Sequence, residues 1–389
     1  MNKDLDNAKY LAFLGRQPEI SIAEIGSLRP GNVLASSPEF SFLTTRPPVE
    51  RMGGVIKLAR IVASSKITNG SDLEDSLAEY ICEYAGAMET SKLTLGISQY
   101  GINRSLRLNS SELKKRVKQQ TEKSIRLIPS RSNQLSSAQI LHNKLFKPNK
   151  IELNLVHYAD RIYLAITEWV QDIEAYTKRD HGRPNRDAYV GMLPPKLAQI
   201  LINLSTGGAP GIILDPFCGT GVLLQEAAIM GYSVIGRDIE PRMASYSSEN
   251  LAWLASKQSS EIFYDVAIGD ATDVDWPEFD YVACETYLGP PQSKKPTSSE
   301  AASLAGPVND LHHRFFENLA RQMHPGQRAC VAVPNWQLDN GGRYSLGCLD
   351  SLTDLGYNRL DFAGTNSSSL IYSRPGQVVA REIILIEKK

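Results

Sequence analysis

Hydrophobic and polar positions change rhythm roughly half-way along the chain. In the first part the rhythm is irregular. "KYLAFLG" reads as a strand, "EISIAEIGSL" after Pro18 as an amphipathic helix, and "SDLEDSLAEYICEYAG" as a helix with Ser71 as candidate N-cap. "KLTLGISQYG" alternates as a strand does, "SSELKKRVKQQTEKS" is a basic helix, and "IRLIPS" is a strand that precedes the helix "LSSAQILHNKL". "IELNLVHY" and "RIYLAITEWV", separated by Ala159-Asp160, predict a hairpin. This mixture predicts an α+β region, a small mixed sheet with helices on one face. The next segment, "QDIEAYTKRDHGRPNRDAYVGMLPP", is polar, rich in Gly and Pro and without periodicity, and predicts a linker.

Beyond it the pattern becomes regular. A helix, "PKLAQILINLS", precedes strand "GIILD", helix "GVLLQEAAIMG", strand "SVIGRD" and helix "PRMASYSSENLAWLAS". Strands "VAIGD" and "DYVACE", helix "NDLHHRFFENLARQM" and strand "RACVAVP" follow, and "YNRLDFAG" and "VVAREIILIE" close the chain. Strand–helix alternation at this spacing predicts a doubly wound, Rossmann-like parallel sheet, and the last two strands predict an antiparallel edge.

The helix–strand–helix start of this second part carries the most informative loop, "ILDPFCGTG" at 213–221. Gly219 and Gly221 allow close backbone approach and positive φ, and the following helix offers unpaired N–H groups to a ligand. The spacing excludes a G-x-x-x-x-G-K-[ST] phosphate loop and lacks the third glycine of G-x-G-x-x-G. Asp238 ends the next strand, where a carboxylate accepts from ribose hydroxyls, and Asp270 ends the third, placed to accept from an adenine amino group. With Asp215, three acids stand in order at strand ends, where open α/β sheets bind ligands. The pattern points to an adenosine-containing cofactor.

Composition narrows the setting. Hydrophobic residues make up 42% and charged residues 22% of the 389, ordinary for a globular chain that folds into two or three domains. No apolar run is long enough to span a membrane, and the opening "MNKDLDNAKYLAFLG" does not read as a signal peptide. The five cysteines are scattered without C-x-x-C spacing, which argues for a reducing cytoplasm and against a zinc site. Charge is uneven: residues 101–150 hold twelve Lys/Arg against two Asp/Glu, which suggests one local surface for a polyanion.

The second half resembles class I S-adenosylmethionine-dependent methyltransferases, and nearly the whole chain resembles the THUMP-containing tRNA guanine-N(2) methyltransferases. "FLGRQPEISIAEI" is similar to that family's opening, "IRLIPSRSNQLSSAQILHNKL" to the THUMP core, and "VQDIEAYTKRDHGRPNRDAYVGMLPPKLAQILINL" to its junction and first methyltransferase helix. The resemblance implies a ferredoxin-like α+β domain over 1–70, a THUMP RNA-binding domain over 71–174, a linker over 175–190 and a class I methyltransferase domain over 191–389. It implies S-adenosyl-L-methionine as cofactor, held by Leu193, Pro194, Asp215, Pro216, Phe217, Cys218, Gly219, Thr220, Gly221, Asp238, Ile239, Asp270 and Ala271.

Where members of this family carry Asp-Pro-Pro-Tyr, the chain reads Glu285-Thr286-Tyr287-Leu288. In the family the acid and the next carbonyl accept hydrogen bonds from an exocyclic amine. They aim its lone pair along the S–CH3 axis, and the fourth residue stacks on the extruded base. Gapless alignment gives Glu285 and the Thr286 carbonyl the acceptor roles and Leu288 the stacking position, with Tyr287 offering an aromatic face one residue earlier. The stiffening prolines are absent from the turn, although Pro290-Pro291 follow it. Cys218 and Cys284, beside the cofactor, read as small buried residues rather than nucleophiles for carbon methylation. His312 and His313 read as surface residues.

For the nucleic-acid side, Lys114, Lys115, Arg116, Lys118, Lys123, Arg126 and Arg131 form a basic run suited to a phosphate backbone, with Lys144, Lys147 and Lys150 near it in sequence. "GPPQSKKPTSSEAASLAGP" reads as a long loop carrying Lys294 and Lys295, a lid over a flipped nucleotide. The expectation is a cytoplasmic tRNA methyltransferase acting on a purine amine, guanine N(2) first, with tRNA position 10 as a candidate. The partner is tRNA, and an accessory protein subunit stays open. The rival readings are a DNA amino-methyltransferase, disfavoured by the THUMP resemblance, and a catalytically inactive RNA-binding scaffold.

Overall fold

A computed structural model describes residues 5–66, 69–102, 106, 108, 110–121, 123–130, 132–187, 193–258, 261–362, 364–365 and 370–389. The chain separates into two compact units, each with its own sheet. The first comprises 1–15, 32–50 and 55–173, and the second 16–31, 51–54 and 174–389.

The strands of the first unit are β1 (Tyr10–Leu14), β2 (Val33–Ser36), β3 (Phe40–Leu43), β4 (Val55–Ser65), β5 (Lys92–Tyr100), β6 (Ser124–Leu127), β7 (Phe146–Lys147), β8 (Lys150–Tyr158) and β9 (Arg161–Val170). They form one sheet in the order β2-β3-β1-β4-β9-β8-β5-β6, with β7 on β8. β8 and β9 are the expected antiparallel hairpin, turned by Ala159 at φ 55°. A buried ion pair crosses this sheet: Lys57 Nζ on β4 donates to Glu152 Oε1 on β8 at 2.8 Å, to Asn154 Oδ1 at 2.6 Å and to Tyr100 OH at 2.9 Å. Burial lowers the Lys57 ammonium pKa, but every donor has an acceptor, the condition under which a buried charge is tolerated. The bond passes over β9 and joins the strands before residue 70 to those after it.

Three helices follow from amphipathic patterning: α1 (Pro18–Leu28), α2 (Gly70–Gly86) and α3 (Ser110–Gln120). α2 is capped by Asn69, whose side chain accepts from Asp72 N at 2.9 Å, rather than by Ser71. α4 (Ser137–Asn143) begins in a capping box, Ser136 with Gln139. α5 (Ile173–His181) occupies the first part of the stretch that sequence alone reads as aperiodic linker, of which 188–192 lie outside the described residues. Its polar surface hides the period, and it is held by Arg179 Nε donating to the buried Glu226 Oε1 at 2.7 Å.

In the second unit come α6 (Pro195–Thr206), β10 (Ile212–Asp215), α7 (Val222–Ile229), β11 (Ser233–Asp238), α8 (Pro241–Ala255), β12 (Tyr264–Ile268), β13 (Tyr281–Glu285), α9 (Ser298–Gln322), β14 (Arg328–Gln337), β15 (Arg343–Ser345), β16 (Tyr357–Arg359), β17 (Ile371–Tyr372) and β18 (Val379–Lys388). The sheet order is β12-β11-β10-β13-β14-β18-β16, with β15 on β14 and β17 on β18. β10 to β14 are parallel, while β18 runs antiparallel between β14 and β16, the doubly wound sheet with antiparallel edge that the rhythm predicts. One face packs on α6 and α7 through residues such as Leu197, Leu201, Ala283 and Ile383, and the other on α9 through Phe315, Phe316 and Val331.

α1 belongs to this second unit although it precedes β2 in the chain. Its buried Glu24 accepts from Gly53 N at 2.9 Å, Gly54 N at 2.8 Å and Asn203 Nδ2 on α6 at 2.7 Å. A side chain at residue 53 would meet the Lys196 carbonyl at 1.9 Å, so only glycine lets this turn lie against α6. α9 starts eleven residues earlier than the sequence suggests, at a Thr297–Glu300 capping box, and runs through Pro307. The proline disguises the helix, and only the part of the expected lid before Thr297 lies outside it.

Candidate functional site

The carboxyl ends of β10, β11, β12 and β13 lie side by side because the strands are parallel and in register: Asp215 beside Gly236, Asp238 beside Ile268. This brings together Asp215, Asp238, Asp270 and Glu285, each sent to that edge by the end of a hydrophobic strand.

The loop after β10 is tied back on itself. Gly221 N donates to Cys218 O at 2.7 Å, and Cys218 N to Arg237 O at 2.9 Å. Gly219 sits at φ 51°, and its N–H donates to Asp238 Oδ2 at 2.8 Å. Gly221 sits at φ 77°, and a side chain there would meet Ser247 Oγ at 2.4 Å. Asp238 Oδ1 accepts from Glu240 N at 3.0 Å, so each oxygen holds one backbone N–H and keeps a lone pair for a ligand. Burial raises the Asp238 pKa above its ordinary value, and burial raises that of Asp215 well above it. Asp215 accepts from Phe217 N at 3.1 Å, and Phe217 packs edge-on against Phe315 at 5.0 Å. Ile239, beside Asp238, is 66% exposed.

Asp270 Oδ1 accepts from Thr272 N and Thr272 Oγ1, both at 2.9 Å. Ala271 O accepts from Asn318 Nδ2 at 3.1 Å, which fixes this loop to α9. Leu193 and Pro194 are buried at the start of α6, Pro216 and Thr220 are buried in the loop, and Pro194 is the residue before the helix. Both cysteine thiols near the loop, Cys218 and Cys284, are buried and their pKa values pushed well up by it, as inert structural thiols are.

The Glu285–Leu288 stretch has a frame that the sequence does not reveal. Glu285 forms an ion pair with Arg381 of β18, which reaches across β14; their side chains are 12% and 5% exposed. Thr286 is buried, and its Oγ1 lies 2.7 Å from His312 Nε2 and 3.1 Å from Ala332 O. His312 Nδ1 lies 2.7 Å from Val308 O, a carbonyl that only accepts, so Nδ1 carries the proton and Nε2 accepts from Thr286. Burial pushes the ring's pKa down to about 4. His312 is therefore a buried, neutral residue behind the motif, not a surface one; His313, beside Glu317, is at the surface. Tyr287 is 48% exposed and Leu288 half-buried, so the aromatic face next to the acid belongs to Tyr287.

A third unforeseen residue is Asn250 of α8, wholly buried. Its Nδ2 donates to Thr220 O at 2.9 Å and Asn185 O at 3.0 Å, and its Oδ1 accepts from Asn185 N at 3.0 Å. It fastens the 185–187 segment to the glycine loop. An Asn on the same helix face as Leu251 and Leu254 was the available signal.

In the first unit, Lys114, Lys115 and Lys118 are exposed on α3 and Arg126 on β6. Arg116 is paired with Asp75, and Lys123 Nζ donates to Met88 O at 2.8 Å and Thr90 O at 3.0 Å, so these two act within the fold. Arg131 lies outside the described residues. A groove of about 440 Å³ beside Lys114 is lined by Gln99, Ser111, Ser130, Ser132 and Asn133. In the second unit Lys294 and Lys295 are exposed, Lys294 lying 3.5 Å from Glu300. Among the described residues no helix is long and apolar enough to cross a membrane, and no cluster of metal-ligating side chains occurs.

Residues 183–338 match a family model described as an RMKL-like methyltransferase domain, and residues 65–249 one described as a DNA methylase. The chain is 34% identical over 159 residues to the tRNA (guanine(10)-N2)-dimethyltransferase of Methanothermobacter thermautotrophicus, a match over 41% of this chain and 43% of that one. It is 42% identical over 82 residues to the enzyme of that name from Pyrococcus abyssi, covering 21% of this chain and 23% of the relative. The chain thus matches less than half the length of these relatives. The crystal structure of TrmN from Thermus thermophilus superposes over 98% of this chain and 99% of its own, with TM-score 0.53 and 17% identity. A possible methylase from Clostridium difficile 630 superposes over 98% of both, with TM-score 0.50 and 12% identity. The fold is that of the class I methyltransferases, joined to an α+β N-terminal unit.

Proposed function

We propose that the chain is an S-adenosylmethionine-dependent tRNA methyltransferase acting on an exocyclic amine of a purine, guanine N(2) first, with tRNA position 10 as a candidate. The observation that carries the reading is the row of Asp215, Asp238 and Asp270 beside the Gly219–Gly221 loop, one strand from an acid and an exposed tyrosine. The relatives named for guanine N2 methylation support it.

The cofactor is S-adenosyl-L-methionine, which supplies an electrophilic methyl group. The site fits it: Gly219 leaves open space above the loop, Asp238 turns a carboxylate to that space, and Ile239 offers an apolar surface for the adenine. Asp238 accepts from the ribose hydroxyls, and Asp270 from the adenine amine. Glu285 and the Thr286 carbonyl accept from the target amine and orient its lone pair, and Tyr287 stacks on the extruded base. Residues 71–174 serve as a THUMP RNA-binding domain after a ferredoxin-like region over 1–70, with 175–190 leading into the methyltransferase domain. Lys114, Lys115, Lys118 and Arg126 meet the tRNA phosphates, and Lys294 and Lys295 the nucleotide at the site. The setting is the cytoplasm.

Glu285→Gln is expected to keep the fold and cofactor affinity but to lose methyl transfer by at least about 100-fold, the low end of general-base effects. Glu285→Asp is expected to impair it too, because the shorter acid falls short of the amine. Single-turnover transfer to bound tRNA measures both, and full activity of the Gln variant sinks the acceptor role. Mass spectrometry of tRNA nucleosides from a deletion strain identifies the base. A second reading, DNA amine methylation, draws on the DNA methylase match, and methyl transfer to duplex DNA in preference to tRNA would establish it. Absence of cofactor affinity by calorimetry would favour a scaffold.

A further inference from the structure

β13 places Glu285 opposite Ala332 of β14, and β14 places Pro334 opposite Arg381 of β18. Arg381 therefore starts two strands away and crosses β14 to reach the acid. It is itself 4% exposed, and its Nε donates to Glu285 Oε1. Glu285 Oε2 bonds no described residue. The other titratable group near Glu285 is Asp215, whose carboxyl burial pushes well above the usual carboxylate range. A glutamate has one more rotatable bond than an aspartate, and the turn after it lacks the prolines that would stiffen Asp-Pro-Pro-Tyr. Left alone, this carboxylate would sample several rotamers. Arg381 removes that freedom with one contact.

We propose that Arg381 is the positioning residue of the acceptor site, binding one oxygen of Glu285 so that the other is held in place for the target amine. The inference rests on the acceptor role proposed for Glu285. The ion pair replaces a rigid turn: precision that a proline-stiffened backbone would supply comes from a side chain two strands away. Among the described residues, the side chain of Arg381 bonds Glu285 alone.

The experiment is a set of four variants, Arg381→Leu, Arg381→Lys, Glu285→Gln and the Glu285→Gln/Arg381→Leu double. Each is followed by single-turnover methyl transfer to tRNA, calorimetry with S-adenosylmethionine, and thermal melting. Arg381→Leu is expected to lower the transfer rate at saturating tRNA and cofactor on the order of 100-fold, the effect of about an ångström of misplacement, with both affinities unchanged. Arg381→Lys keeps a charge and is expected to recover part of the rate. Removing Arg381 from the Glu285→Gln protein is expected to slow it no further, because the two act as one unit. An unchanged rate in both Arg381 variants overturns the inference, as does an equal slowing in the Glu285→Gln background, which would mark a purely structural role. If Arg381→Leu does not fold, the Lys variant and the double variant, which leaves no carboxylate unpaired, decide. A fully active Glu285→Gln protein overturns the acceptor reading itself, whereas an inactive one beside active Arg381 variants overturns only the role of Arg381.

Discussion

Acid should loosen the second unit through His312, and the size of the effect can be worked out. The ring is buried and neutral, with a pKa near 4 against 6.5 when unperturbed. As pH falls from above 6.5 towards 4, the unfolded chain takes up a proton at this ring that the folded protein does not, so stability is lost in that window. Above 6.5 the contribution is fully present, and below 4 no further loss accrues. At the limit this difference is worth about 3 kcal/mol, and by pH 5 about 2 kcal/mol.

His312→Leu isolates this one titration. It leaves no partner stranded, because Thr286 Oγ1 can turn its proton to Ala332 O, 3.1 Å away, and Val308 O keeps its helix backbone bond. At pH 7.5 the variant should be destabilised by about 1 kcal/mol, for the lost hydrogen bond. Between pH 7.5 and pH 5 the wild type should lose about 2 kcal/mol more than the variant, about 4–8 °C in melting temperature for a unit of this size. Melting curves of both proteins across that range, read by near-ultraviolet circular dichroism, make the comparison. Parallel acid limbs in the two proteins would refute the reasoning and place the lost stability elsewhere.

Asp238→Ala should weaken S-adenosylmethionine binding by about 1–3 kcal/mol through lost ribose hydrogen bonds, as measured by calorimetry; unchanged affinity would mean the second strand has been assigned to the wrong part of the ligand. Replacing Lys114, Lys115 and Lys118 together by Ala should weaken tRNA binding and reduce the slope of log K against log salt by roughly 0.7–0.9 per lost contact, with cofactor affinity unchanged. An unaltered slope would leave those lysines as an ordinary solvated helix face.

The parts of this molecule that sequence discloses are those set by local rules. β10, its glycine loop and α7 can be read directly, because positive φ needs glycine and a buried parallel strand needs an unbroken apolar run. The hairpin of β8 and β9 shows in its alternation. What escapes are features that depend on register between distant strands or on which helix face is inward. Arg381 meets Glu285 only because β14 intervenes with a particular alignment, and no local pattern encodes that. His312 looks like one of a polar pair until Phe315 and Phe316 define the buried stripe, one turn along. α9 loses its first eleven residues to Pro307, which local rules treat as a breaker, although the Thr297–Glu300 box announces the start. Arg116 and Lys123 belong by charge to a basic run, yet their partners Asp75, Met88 and Thr90 are remote in sequence.

The placement of α1 has a consequence for how this protein can be taken apart. Residues 16–31 and 51–54 fold with residues 174–389, while the chain before, between and after them folds with the other sheet. A single cut near residue 190 would release a methyltransferase portion whose α6 has lost Glu24, Gly53 and Gly54, leaving Asn203 and neighbouring apolar side chains facing water. Neither portion is a cassette. Attempts to graft a different module onto this second sheet should therefore carry α1 and the 51–54 turn along with it.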